Sequence, residues 1–195
     1  MNFLAHLRLS GDDAESLVGN LMGDFVKGRL EERFPPPIRR GVELHRRIDS
    51  FAARNEHFLR SKRRLDPALG LYRGVMVDLF YDHFLALHWD DHSAIPFDRF
   101  VADAWRTMIA HEAVLPRELV RVLPVIFSDL IPSYRETGGI ERALQRMAAR
   151  LGRPTPLGEG GRELRRHYGE LEGDFRGFFP EALAFVRGVT GAARE

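Results

Sequence analysis

Apolar residues recur along this chain at the three- and four-residue intervals of helices, and no segment alternates apolar with polar positions over a useful strand length. The pattern predicts an all-α protein. After an apolar opening from Phe3 to Leu9, broken by His6 and Arg8, the run Ser10-Gly11-Asp12-Asp13 reads as a turn, and Asp12 with Glu15 has capping-box spacing. A helix is expected from Ala14 to Gly28, with Leu17, Val18, Leu21, Met22, Phe25 and Val26 on its apolar face. Gly19 and Gly23 lie beside that face, where they would let a neighbour approach closely. Prolines 35 to 37 open a second helix, expected from Ile38 to Arg64 on the stripe Leu44, Ile48, Phe51, Ala52, Phe58 and Leu59.

A third helix starts at Leu69 or Gly70, after the Asp66-Pro67 breaker. Further helices begin at Pro96-Phe97 and after Pro116, and Pro124 should kink or split the latter. Gly138-Gly139 separates Tyr134-Arg135 from a helix through Ile140, Leu144, Met147 and Leu151. The stretch 152–161 is the most linker-like. The apolar stripe beyond it, from Leu164 to Phe179, is too short for a second domain and needs the rest of the chain to cover it. One helical bundle over residues 1–195 is the expectation.

The third helix carries an anomaly. Val77 to Trp89 sets Asp78, Asp82, His83 and His88 among large apolar residues, and no Lys or Arg occurs between Gly74 and Ser93. A core excludes carboxylates unless a cation, a hydrogen bond or a proton compensates them. Asp78 and Asp82 form one stripe, whereas His83 sits about 100° away from Asp82, so an ideal helix does not aim all three at one small ion. Two other helices carry pairs of the same four-residue spacing at a core edge, Asn20/Asp24 and His45/Asp49, and His6 is available from the opening segment. Each pair alone has an ordinary reading: Asp24 as a solvated residue, His45 as an edge histidine bonded to Asp49. Together they suggest a divalent cation, which would relieve the like-charge repulsion of about 0.2–0.5 kcal/mol per pair and the larger cost of burying carboxylates.

Composition narrows the chemistry. The 195 residues contain no Cys, which removes thiolate catalysis, Cys-ligated zinc and disulfides and leaves His and carboxylate ligands. Such a set suits manganese, magnesium, iron or zinc, and hard oxygen donors favour the first two. Formal net charge is only +1, but basic residues crowd Arg39 to Arg73 and the next segment is acidic and His-rich. There is no basic leader, no membrane-length apolar run and no phosphate-binding glycine loop. A cytoplasmic protein without membrane or nucleic-acid partners is expected.

The motifs N-F-L-A-H at 2–6, G-N-L-M-G-D at 19–24, H-R-R-I-D at 45–49, D-x-x-x-D-H at 78–83 with H-W at 88–89, and H-Y-x-x-L-E-x-x-F-x-x-F-F-P at 167–180 together resemble the acyl carrier protein phosphodiesterases. That family is an atypical branch of the helical HD phosphohydrolases. The resemblance implies Mn2+- or Mg2+-dependent removal of 4′-phosphopantetheine from the serine of holo-acyl carrier protein. It places His6, Asp24, His45, Asp49, Asp78, Asp82 and His83 in or around a metal site without apportioning ligands. Arg8 stands where many relatives have a second His, and the order Asp82-His83 reverses the dyad of ordinary HD enzymes.

On this reading the ligands are His6, Asp24, His45, Asp49, Asp78 and Asp82. His83, His45 and Asp82 are the expected catalytic groups, with His6 a further candidate proton donor to the leaving serine oxygen. Asn20, Arg46 and Arg47 are expected to meet the substrate, and His88 to support the site from behind. The basic band from Arg39 to Arg73 would steer an acidic carrier protein. Two alternatives stay open: an HD-like phosphohydrolase of a nucleotide or other small phosphodiester, and a non-enzymatic helical module whose acid and His pairs are satisfied structurally.

Overall fold

The computed structural model describes residues 2–11, 13–30 and 33–191. Among them every regular element is helical: α1 (Phe3–Arg8), α2 (Ala14–Leu21), α3 (Pro36–Ala52), α4 (Glu56–Arg64), α5 (Tyr72–Leu87), α6 (Phe97–Ala110), α7 (Arg117–Val125), α8 (Ile131–Ser133), α9 (Thr137–Arg150), α10 (Gly160–Arg166) and α11 (Tyr168–Gly191). The all-α class is as the periodicity predicts. No helix among the described residues is long and apolar enough to cross a membrane.

The centre is α5. From Met76 to Ala86 all but Asp78 are buried, because α1, α4, α9 and α11 pack around the helix. A helix covered on every side has no polar face to show, which is why its sequence reads as apolar all round. Tyr81 and Phe84 on α5 meet Phe175 and Phe178 on α11, all fully buried, and the rings of Tyr81 and Phe175 are set edge to face with centroids 5.6 Å apart. Burial of side chains of this size contributes roughly 1.5–3 kcal/mol each, so this aromatic seam is a main source of cohesion.

Several boundaries differ from the sequence expectation. The helix expected to reach Gly28 ends at Leu21, and Gly23–Phe25 continues as a single 3₁₀ turn. Asp12 lies outside the described residues; the cap of α2 is Asp13, whose carboxylate accepts from the Ser16 amide at 2.8 Å. The helix expected over 38–64 is two helices, because the Asn55 side chain accepts from the amides of His57 and Phe58 and starts α4 afresh. Gly138 and Gly139 lie inside the first turn of α9 rather than ahead of it. Gly139 is there because a Cβ would meet the Ser133 carbonyl oxygen at 1.9 Å. Pro124 lies within α7, and the chain then widens into a π-helical turn, Ile126–Leu130, before α8. The linker-like stretch is largely ordered as a 3₁₀ turn, Pro156–Glu159, leading into α10.

The basic run on α4 is not a purely solvated face. Arg60 and Arg64, one turn apart, both donate to Asp174 on α11, which also accepts from Ser61 at 3.0 Å. This joint fixes α4 against α11 beside the α5 core.

Candidate metal centre

The site begins where α2 crosses α3. Gly19 and Gly41 meet at the crossing: a Cβ on Gly19 would lie 2.1 Å from the Ile38 carbonyl oxygen, and one on Gly41 2.4 Å from that of Ser16. This close approach brings the residues just beyond it together. His45, one turn after Gly41, donates Nδ1–H to the carbonyl of Asn20 at 2.8 Å. Its ring sits directly over Gly23, where a Cβ would be 2.2 Å from the imidazole Cγ.

Helix α1 brings in His6, and α5 fastens α1. Asp82, fully buried, accepts from the amides of Leu4 at 2.9 Å and Ala5 at 3.0 Å, satisfying orphan donors of the first turn of α1. Burial pushes the Asp82 carboxyl up to about 7 even though these amides pull the other way. Asn20 then orients His6. Its amide Nδ2 donates to the His6 carbonyl and to Ser10 Oγ, so Oδ1 is the end that receives His6 Nδ1–H at 2.9 Å.

Both imidazoles therefore carry their proton on Nδ1 and turn Nε2 towards carboxylates. His6 Nε2 lies 3.3 Å from Asp49 Oδ1. His45 Nε2 lies 3.2 Å from Asp49 Oδ2 and 3.4 Å from Asp24 Oδ1. The rings stack with centroids 3.9 Å apart. The histidines are buried, while the side chains of Asp49 and Asp24 are 41% and 54% exposed, so the cluster opens to solvent on its carboxylate side.

Two nitrogen lone pairs facing two carboxylates repel unless a cation lies between them. In the metal-free protein that cation is a proton. Burial opposes a charge on His45, but its hydrogen bonds to Asp24 and Asp49 prevail and raise it to about 9. His6 is driven down to about 4, by burial first and then by the neighbouring His45 charge against the bond to Asp49. Asp49 and Asp24 are held below the ordinary carboxylate range by these imidazoles, despite burial. The donor set also fits a metal ion. The ligand atoms of His6, His45 and Asp49 all lie within 4.8 Å of one another. Two ligands bonded to one ion at about 2.1 Å are separated by roughly 3.0–3.4 Å, as these nitrogens and oxygens are.

The other expected site residues are spread more widely. Asp78 lines a groove of about 430 Å³ that also contains Asp24 and Asp49. Asp82 and His83, placed by the sequence reading in the metal site and among its catalytic groups, are held elsewhere: Asp82 caps α1, and His83 bonds through Nδ1 to the Tyr134 carbonyl at 2.7 Å and through Nε2 to the Tyr168 hydroxyl at 2.9 Å. The α5 twist that made a common focus doubtful separates them. His88 pairs with Glu172 on α11 at 2.7 Å. Arg46, expected at the substrate, donates to the carbonyls of Val26 and Gly28 and pins the loop after Asp24. Arg47 lines a separate cavity with Arg40, Glu43 and Ser16. Asn20 orients the histidines from inside and is itself fully buried. Sequence reasoning missed the groove residue Lys62 and the space that Gly23 leaves for His45; only the small-residue spacing of Gly19 and Gly23 hinted at the latter.

The family model described as acyl carrier protein phosphodiesterase matches residues 1–182 of this chain. The chain belongs to that family. Relatives bearing the same description include one from Klebsiella pneumoniae (strain 342), 34% identical over 185 residues, and one from Shigella boydii serotype 18, 34% identical over 193 residues. A third, from Escherichia coli O157:H7, is also 34% identical. In all three the match covers 94% of this chain and 96% of the relative. No solved structure gives a significant match. The matched residues run from α1 into α11 and include the His6, Asp24, His45 and Asp49 cluster.

Proposed function

We propose that this protein is a divalent-metal-dependent phosphodiesterase that cleaves 4′-phosphopantetheine from the serine of holo-acyl carrier protein, leaving apo-acyl carrier protein. The observation that carries the reading is the pair of buried imidazoles whose Nε2 atoms face Asp24 and Asp49 at the end of an open groove. The printed names of the relatives support the substrate. A relation to the HD phosphohydrolases belongs to this proposal, supported by the helical class and the His and Asp ligands.

His6, His45 and Asp49 would hold Mn2+ or Mg2+, with Asp24 beside His45. Such an ion supplies Lewis acidity at a phosphoryl oxygen and acidifies a water for attack on phosphorus. The chain itself supplies position and protons. Asn20 holds both imidazoles with Nε2 forward, so no ligand has to turn or lose an Nδ1 proton. Asp24, the more exposed carboxylate, is available to accept a proton from the attacking water. The serine oxygen leaves as the phosphorus–oxygen bond breaks and must gain a proton. Asp78, which lines the same groove and whose carboxyl is pushed upward by burial, is suited to deliver it.

Purified protein with Mn2+ should strip the arm from holo-acyl carrier protein and leave a panel of nucleotides intact, read by mass spectrometry. Asp78→Asn should lower kcat by about 10²-fold or more with the metal still bound. Cleavage of nucleotides with holo-acyl carrier protein untouched would contradict the substrate assignment.

A further inference from the structure

The groove that starts at the acidic cluster runs on between the end of α3, α4 and the first turns of α5. Apart from the carboxylates of Asp24, Asp49 and Asp78, Asn2 and Lys62, the described lining is apolar: Leu71 just ahead of α5, Val75 from α5 and Met147 from α9, with Phe58 and Leu79 nearly buried. The rim is unusually greasy for solvent-facing helix, with Leu71 95% exposed and Val75 37% exposed. Among the described residues Lys62, on α4, is the sole cation in the lining and makes no ion pair. Near it the wall is open, since a Cβ on Gly74 would meet only the Lys62 Cε, at 3.9 Å.

This layout selects a ligand chemistry. The groove combines carboxylates of the candidate metal centre with a lysine and aliphatic side chains. Phe58, the only aromatic ring among the described lining residues, is just 6% exposed, so none of them offers a ring face for a nucleobase to stack on. A flexible phosphorylated chain with methyl groups and few charges fits, and a planar heterocycle does not. The volume, about 430 Å³, lies in the range of roughly 300–1,000 Å³ usual for small-ligand sites.

We propose that this groove seats the phosphopantetheine arm itself, with its phosphate at the Asp24, Asp49 and Asp78 end beside Lys62 and its pantetheine portion along Leu71, Val75 and Met147. The proposal rests on the substrate proposed for the metal centre and adds to it that the enzyme grips the arm as well as the carrier protein. Lys62 offsets phosphate charge that the carboxylates alone would repel, and the apolar wall fixes the direction in which the arm leaves the phosphorus.

Calorimetric titration of free 4′-phosphopantetheine into the Mn2+-loaded protein tests this without catalysis. Wild type should bind, and both Val75→Trp, which narrows the groove at an exposed position, and Lys62→Ala should weaken binding by about tenfold with unchanged thermal unfolding. Adenosine monophosphate, a phosphate without the arm, should not discriminate wild type from Val75→Trp. Equal affinity of wild type and both variants for phosphopantetheine, or no binding by wild type, would overturn the groove assignment. Whether holo-acyl carrier protein loses its arm is a separate readout, so failure of the groove and failure of the substrate reading are told apart.

Discussion

His6 and His45 show how much of a candidate metal site is decided by atoms that would never touch the ion. One Asn20 side chain and one Asn20 carbonyl set the tautomers of both rings, and Gly23 supplies the space in which His45 lies. Gly23→Ala should therefore displace His45 and weaken Mn2+ binding by about 10–100-fold, measured by titration of the metal-free protein. Unchanged affinity would mean that His45 is not a ligand. The pH dependence has a defined sign. His45 in the metal-free protein is raised from 6.5 to about 9, so its contribution to stability is present below 6.5 and lost as pH rises through 9. Above pH 7 His6, at about 4, is neutral in both folded and unfolded states and does not mask this. The unfolding midpoint of the metal-free protein should fall between pH 7 and 9, and Mn2+ affinity should rise over the same range as the competing proton leaves. A metal affinity independent of pH there would contradict the assignment. His45, Asp49, Asp24 and His6 were legible as candidates from their types and spacing. Asn20 was legible only as a polar residue on the Asp24 line, because its role depends on which helix crosses it.

Among the elements, α1 is the one most dependent on a single side chain. It is only six residues long, yet it carries His6, and its first-turn amides are satisfied by Asp82 from α5. Asp82→Ala should leave those buried donors unpaired and cost about 2–3 kcal/mol in urea unfolding, while Mn2+ still binds stoichiometrically at saturating concentration. Loss of the metal with full stability would instead make Asp82 a ligand. This use of a buried carboxylate explains how an acid-rich, apolar α5 is tolerated without a nearby Lys or Arg. The pattern could show that compensation was required, but a hydrogen bond from a backbone seventy-eight residues away leaves no trace in local spacing. The break at Asn55 is hidden in the sequence for a similar reason. The apolar stripe resumes in phase on α4, and a cap is visible only once the backbone turns out to donate to it.

At the scale of the molecule, one hydrophobic core built on α5 holds the crossing of α2 and α3, the short α1 and the groove wall of α4 and α5 in a fixed relation. The all-α class and the order of the helices could be read from periodicity and proline placement. The groove could not, because its lining comes from α3, α4, α5 and α9 and belongs to no single motif. The fold thereby joins the candidate metal centre to an apolar lining, the arrangement that the proposed removal of a phosphorylated arm would use. The most direct measurement of that function is the intact mass of holo-acyl carrier protein incubated with the protein. With Mn2+ and wild type the mass should drop by that of the phosphopantetheine arm, and neither the chelated enzyme nor Asp49→Asn should produce the drop. Loss of the arm that persists in chelator and in Asp49→Asn, or an unchanged mass with metal-loaded wild type, would contradict a metal-dependent phosphodiesterase built on this site.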